Sequence, residues 1–380
     1  MKRIQKSSIR ALLLFLLACC LSLVTGKRFS SMFSLDQIFP SPHLSEQKLL
    51  SDYFPPLKNS PGDTPIFIFK GEKEGGHLLI LGGSHPNEPA GFITAVLLVE
   101  NLEIRTGTVI IVPWANRSAF THNDPFEGNP QRYTIQTPSG TRQFRYGSRL
   151  TNPVHQWPDP ALYINPSGQK LAGTECRNLN RCYPGRADGY LTERIAFGFM
   201  ELMRQENIDL AFDLHEAAPE YPVINAIVFH ENSSEMAAMA FMDLQLQEME
   251  FRLEASPPNL RGLSHREWGD FAQVKAILLE TANASHGRLK GKPSAALIVE
   301  GKDKNYVKAA KLGRLFVPFG EEGIPLKQRV ARHLASVQAL LSASNELDPA
   351  RSIEGRSWPS TDRIKSEGIG PFLTPPNKAN

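Results

Sequence analysis

Short apolar runs alternate along this chain with longer stretches of helical periodicity. Residues 66–69, 77–81, 109–112, 210–214, 226–229, 276–279 and 295–299 are four- or five-residue runs, mostly Val, Ile, Leu and Phe. Near-continuous apolarity at that length predicts strands buried on both faces of a sheet. Residues 90–102, 192–204, 234–249 and 327–342 repeat their apolar positions at helical spacing, which predicts helices between or after the strands. Together they imply an α/β domain whose mixed or mostly parallel sheet is covered by helices on both faces. With no internal repeat, one domain over residues 62–344 is the simplest parse.

The flanks read differently. Residues 27–61 are irregular and punctuated by Pro40, Pro42, Pro55, Pro56 and Pro61, which predicts an extended leader. Residues 345–380 are polar, with Pro371, Pro375 and Pro376 among few aliphatics, and predict a mobile tail. In residues 1–26, Lys2, Arg3, Lys6 and Arg10 precede an apolar run over 11–24. That run is shorter than the ~20 residues a spanning helix needs, so it reads as an export signal. Three fates stay open: cleavage near Gly26, a lipid on Cys19 within Leu16-Leu17-Ala18-Cys19, or an uncleaved anchor. The destination would be periplasmic or secreted.

Charge follows the same division. The 380 residues carry 42 Lys+Arg against 39 Asp+Glu, a formal net charge of +3. Residues 1–26 hold four of the basic groups and no acid, so the remainder is close to neutral. Nothing in it offers the clustered cations that a nucleic acid or an acidic membrane would require. Membrane contact is therefore expected only through the N-terminal segment. Of the four cysteines, only Cys176 and Cys182 lie outside that segment, too few for a disulfide scaffold. In an exported chain the two could clamp the loop between them or remain buried thiols.

Four segments could carry chemistry. Strand 77–81 runs into Gly82-Gly83-Ser84-His85-Pro86-Asn87-Glu88-Pro89, where two glycines permit a sharp turn and Pro89 suits a first helical position. His85 and Glu88, three apart at a helix entry, can aim an imidazole and a carboxylate at one point. That supplies two of the three protein ligands of a catalytic zinc, although a surface His beside a capping acid has the same spacing. A second apolar strand ends in Asp213-Leu214-His215-Glu216 at what would be the carboxyl edge of the sheet. His215 could be a third ligand, with Asp213 or a backbone carbonyl fixing its tautomer. A Pro/Gly-bounded loop holds Arg177-Asn178-Leu179-Asn180-Arg181, whose guanidinium groups suit a carboxylate. Finally, Leu278-Leu279-Glu280-Thr281 places an acid at the end of an apolar strand, where desolvation raises its pKa toward that of a general base. Glu300, after Leu297-Ile298-Val299, has the same look.

Taken in order, these motifs resemble the zinc carboxypeptidase superfamily, most closely its succinylglutamate desuccinylase/aspartoacylase branch. The likeness lies in H-x-x-E after a Gly-Gly turn (His85, Glu88), L-N-R (Leu179, Asn180, Arg181), D-L-H (Asp213, Leu214, His215) and a strand-borne L-E-T (Leu279, Glu280, Thr281). The resemblance implies a three-layer α/β/α fold and one Zn²⁺ ion on His85, Glu88 and His215. It implies Glu280 as the general base, by element order over Glu300, and Asn180 and Arg181 as holders of a substrate carboxylate. The chain departs from the family at Gly173, where a further arginine often stands eight residues before the one matching Arg181. Arg177, Arg149, Arg145 and Arg142 are candidates to replace it. Pro86 also stands where a small residue is common.

Three functions fit: an exported zinc amidohydrolase acting on N-acyl amino acids, a zinc carboxypeptidase or murein-peptide amidase, and a catalytically silent binding protein. Either enzyme implies a small-molecule or short-peptide partner bearing a carboxylate. A serine hydrolase does not fit, because Gly262-Leu263-Ser264-His265-Arg266 lacks the second glycine of a nucleophile elbow. His265 is expected to be structural or to line the pocket. His122, His155, His230 and His286 have no ligand-like spacing.

Overall fold

The computed structural model describes residues 6–124 and 127–376, so Lys2 and Arg3 of the export segment lie outside the described residues. The chain divides into two units, residues 1–36 and 37–380. The first contains helix α1 (Lys6–Ser31), 26 residues long and without a buried side chain. It outruns the apolar stretch of 11–24 at both ends and passes through Gly26, so the helical segment does not end at residue 26. By length and composition α1 could cross a membrane, a test that a signal sequence also passes.

The second unit is built on a nine-stranded sheet. Its strands are β1 (Glu46–Leu49), β2 (Pro65–Lys70), β3 (Lys73–Leu81), β4 (Glu103–Val112), β5 (Leu210–Ala217), β6 (Ala226–Phe229), β7 (Arg252–Ala255), β8 (Lys275–Ala282) and β9 (Glu354–Ser357). They lie in the order β1-β2-β4-β3-β5-β8-β6-β7, with β9 alongside the start of β4. The four central strands, β4, β3, β5 and β8, are parallel, while β2 and β9 run antiparallel to β4 and β6 antiparallel to β8.

Both faces of the central strands are buried because their side chains are apolar at odd and even positions alike. On one face, Leu79, Leu81, Ile110, Val112, Ala211 and Ala276 share a core with Ile195, Phe199 and Leu202 of helix Leu191–Gln205. On the other, Leu78, Ile80, Val109, Ile111 and Phe212 are fully buried, beneath helices Pro89–Asn101 and Leu326–Leu347, the second of which also meets helix Ser234–Leu246. Gly91 lets the first of these approach closely, since a Cβ there would stand 2.3 Å from the Leu214 carbonyl oxygen. The result is the expected three-layer α/β/α arrangement. Six of the seven expected strands are present, and all four expected helices.

The seventh, residues 295–299, is instead a helix (Ala295–Glu300). Ser294 caps it by accepting from Leu297 N, and Gly301 ends it in the left-handed region at φ 65°. Glu300 is consequently exposed on a helix end rather than aimed from a strand, which removes it as a rival base.

Both flanks are packed, contrary to the extended leader and the mobile tail. In residues 37–61, Leu50 and Leu57 are fully buried and β1 pairs with β2. Beyond 344, β9 pairs with β4, and Ile353, Ile364 and Leu373 are buried. A few well-placed apolar side chains dock both segments, and average polarity conceals them. The buried Glu100–Arg142 ion pair reinforces this by holding both flanks at once. Arg142 donates to Gln37 O at 2.5 Å and to Thr374 O at 2.8 Å. Glu100 accepts from Phe39 N at 3.1 Å and from Thr374 N at 2.7 Å. Ile364→Ala should therefore cost about 2–5 kcal/mol, as for other fully buried aliphatics. Denaturant unfolding of the variant would measure the loss, and an unchanged midpoint would mean that the segment is not part of the core.

Candidate metal centre and active-site cavity

Strands β3, β5 and β8 end side by side, and their carboxyl edge is where an open α/β sheet gathers its functional groups. After β3 the chain turns at Gly82 and Gly83. Gly83 has φ +67°, and a Cβ there would lie 2.6 Å from Pro113 O and 2.7 Å from the Phe120 ring, so the turn needs glycine. It delivers His85, after which Glu88 stands at the residue before helix Pro89–Asn101 without capping it, its carboxylate being turned to the histidines. On β5, Asp213 and His215 point to the same face. The register sets Glu280 of β8 beside His215 and Leu278 beside Asp213.

These positions bring His85, Glu88 and His215 together, with one donor atom from each lying within 4.8 Å of the others. Glu88 bridges the imidazoles: Oε1 is 2.7 Å from His85 Nδ1 and Oε2 is 2.8 Å from His215 Nδ1. The far side of each ring is also engaged. His85 Nε2 lies 2.8 Å from Asn178 Oδ1, which also accepts from Asn180 N and is thereby identified as the oxygen. His85 thus carries its proton on Nε2 and leaves Nδ1 as a lone pair. His215 Nε2 lies 2.9 Å from Asp213 Oδ2, at ion-pair distance but off the line of a well-directed hydrogen bond. Asp213 is fixed in turn by Ser84, whose hydroxyl donates to Oδ1 at 2.7 Å.

Two imidazoles and a carboxylate, all buried and oriented from behind, fit a divalent transition metal. Their electrostatics suit that use at His85 and Glu88, whereas at His215 burial is outweighed by Asp213 and Glu88, which raise its pKa well above the ordinary value in the metal-free chain. Burial, with Arg149 nearby, lowers the His85 pKa to about 4, which keeps the ring neutral. Burial works against the charged form of Glu88, yet the two imidazoles hold its carboxyl well below the ordinary range. Arg149 Nη1 stands 3.2 Å from Glu88 Oε1 and 3.3 Å from His85 Nδ1. A cationic group already borders the point where the donors converge.

The cluster lies in a cavity of about 580 Å³ whose wall includes Arg149, Asn180, Arg181, His265, His286 and Glu280. Glu280 Oε2 is buried without a hydrogen-bond partner. Burial, followed by the Glu88 carboxylate, pushes the Glu280 carboxyl up to about 8. Asn180 is fixed by accepting from Ser264 N at 2.8 Å, and Arg181 donates to Asn180 O at 2.6 Å.

Of the seven singled-out residues, six line this cavity and Arg177 does not. Its guanidinium pairs with Asp159, Nε to Oδ1 at 2.7 Å and Nη2 to Oδ2 at 2.9 Å, and donates to Thr151 O. Arg177 is a loop brace, and its assignment to substrate binding is corrected. Arg142 and Arg145 are likewise committed to Glu100 and to Phe120 O, which leaves Arg149 as the cavity-facing member of that group. Cys176 and Cys182 are both free and buried. His286, which has no ligand-like spacing in the sequence, lines the cavity and approaches Asn87 O at 2.6 Å. Asn178 was overlooked as the group behind His85, and its place inside the Arg177–Arg181 run was the available signal.

The comparisons with known proteins bear on this site. Residues 161–292, which include Asn180, Arg181, His215 and Glu280, match the succinylglutamate desuccinylase/aspartoacylase catalytic domain. No match was found among curated proteins. Among solved structures, the chain is similar to a succinylglutamate desuccinylase from Silicibacter sp. TM1040, at 18% identity and a TM-score of 0.37 over 60% of this chain and 55% of that one. It is also similar to a metallo-carboxypeptidase from Burkholderia cenocepacia, at 11% identity and a TM-score of 0.43 over 78% and 68% of the two chains. A third likeness is to the cell shape determinant protein Csd4 from Helicobacter pylori, at 14% identity and a TM-score of 0.45 over 80% and 58%. The chain thus spans little more than half the length of the first of these. On the catalytic-domain match, residues 161–292 are similar to the catalytic domain of succinylglutamate desuccinylases and aspartoacylases, a likeness that covers about a third of the chain.

Proposed function

We propose that the protein is an exported, zinc-dependent amidohydrolase that cleaves the amide bond of an N-acyl amino acid or similar small substrate. The observation supporting this most directly is one cavity that holds both the His85–Glu88–His215 donor set and a Glu280 carboxyl whose Oε2 is buried without a hydrogen-bond partner. Zinc held by those three residues would supply a Lewis acid for the scissile carbonyl and an acidified water. The chain's own groups do the rest. Asn180 and Arg181 bind the substrate carboxylate, which fixes the amide near Glu280. Arg149 offers positive charge where the carbonyl oxygen becomes negative. Glu280 accepts a proton from water and returns it to the leaving nitrogen, a task suited to a carboxyl whose pKa burial has raised toward neutrality. Export rests on α1, with a periplasmic or secreted destination and Cys19 as a site for lipid.

A second reading is a carboxypeptidase or murein-peptide amidase using the same groups. It is favoured by the cavity volume of about 580 Å³, which admits a short peptide. A silent binding protein would have no use for the orphaned acid.

Metal analysis and turnover on two variants test the proposal. His85→Ala should lose stoichiometric zinc, while Glu280→Gln should keep zinc and lose turnover by about 10²–10⁴-fold; an active Glu280→Gln would remove Glu280 from the mechanism. Arg181→Ala should raise KM for a carboxylate-bearing substrate more than it lowers kcat. A change confined to kcat would place Arg181 at the reacting atoms instead.

The raised Glu280 pKa also has a signature in stability. Folding keeps a proton on this carboxyl from its ordinary value of 4.5 up to about 8 in the metal-free chain. Its contribution is complete below 4.5 and is lost as pH rises through that window. Chelator-treated wild type should therefore lose thermal stability relative to Glu280→Gln as pH rises across it. Parallel melting curves would contradict the assignment.

A further inference from the structure

Five acids line the active-site cavity: Glu88, Glu216, Glu220, Glu254 and Glu280. Four have defined work. Glu88 joins the donor set, Glu280 is the base, and Glu216 binds Arg329 at 2.6 Å. Glu220 accepts from Arg288 N, Leu289 N and Tyr306 Oη at 2.8, 3.3 and 2.6 Å. Glu254 is different. Among the described residues, no hydrogen bond or ion pair reaches its half-buried carboxylate. Arg252, two residues earlier on β7, is tied to Pro222 O and Phe316 O at 2.9 and 3.1 Å.

The sheet register gives Glu254 its meaning. Leu278 pairs with Asp213, Val228 with Leu278, and Glu254 with Val228. A single row therefore runs from Asp213, behind His215, through Leu278 and Val228 to Glu254, and its last three members line the cavity. Glu254 lies two strands across and one pleat along from Glu280, roughly 12 Å between Cα atoms at ordinary sheet spacings. The floor between is apolar, while Arg149 and Arg181 supply positive charge near the metal-binding end.

We infer that Glu254 is a specificity subsite for a cationic group, either ammonium or guanidinium, at the end of an aliphatic stem. The preferred substrate is then an N-acyl amino acid or short peptide with a basic side chain of about four methylenes. Its stem lies on Leu278 and Val228, and its terminal cation meets Glu254. A neutral or anionic chain end would leave that carboxylate unpaired or repelled inside the cavity, which costs affinity. This rests on the amidohydrolase reading for the identity of the substrate, but not for the recognition itself.

Binding and turnover, measured separately on the metal-loaded protein, keep the two apart. Nα-acetyl-lysine and its neutral counterpart Nα-acetyl-norleucine are titrated by calorimetry into wild type, Glu254→Gln and Glu254→Asp. The lysine compound should bind wild type about tenfold more tightly, as expected for a charge-assisted hydrogen bond. That ratio should fall toward one in Glu254→Gln and be largely restored in Glu254→Asp. Equal affinities in wild type, no binding by either compound, or a ratio unmoved in Glu254→Gln would overturn the inference. Hydrolysis of both compounds with equal affinity would sink the subsite and leave the enzyme reading intact. Lysine-selective binding without hydrolysis of either would do the reverse.

Discussion

The site depends on one buried carboxylate. Glu88 is 2% exposed and has an imidazole on each oxygen. A charge so far from water is tolerable only where it is closely paired. Its Oε2 also accepts from Glu216 N at 3.0 Å, so the same carboxylate ties the helix after β3 to strand β5. The contacts behind the histidines extend this outward, through Asn178 into the loop that bears Asn180 and through Asp213 to Ser84 in the glycine turn. Each imidazole is thereby oriented by a group from a different part of the chain, and the donor geometry is set before any metal arrives.

The parallel centre of the sheet makes this possible. Three strands ending at one edge place a turn, a His and an acid within reach of each other, although the turn precedes the other two by more than a hundred residues in sequence. The antiparallel turn of direction from β8 to β6 then extends the floor sideways. That gives the cavity an apolar middle and a second polar end. On the proposed reading, proton chemistry at Glu280 and recognition of the chain end at Glu254 occupy separate places along one sheet, where either can vary without repacking the other.

Most of the site was legible because its residues interrupt strong patterns. His85 follows two glycines, while His215 and Glu280 end runs too apolar to carry an acid or imidazole without purpose. Arg177 misled because only the fold reveals Asp159 beside it. The run at 295–299 misled for another reason: five apolar residues have no period that separates strand from buried helix. The arbiters were Ser294 in front and Gly301 behind, a cap and a stop. Glu254 was invisible, since nothing in its own neighbourhood reports that Val228 and Leu278 lie between it and the catalytic edge.

The Glu100–Arg142 pair couples the two flanks. One buried ion pair holds backbone from Phe39 and Thr374 together, so segments from either side of the sheet-forming sequence are fastened at one point. With either segment undocked, the pair lacks partners that satisfy it, and a half-satisfied buried pair is a liability. Neither flank can therefore be loosened without a cost felt by the other.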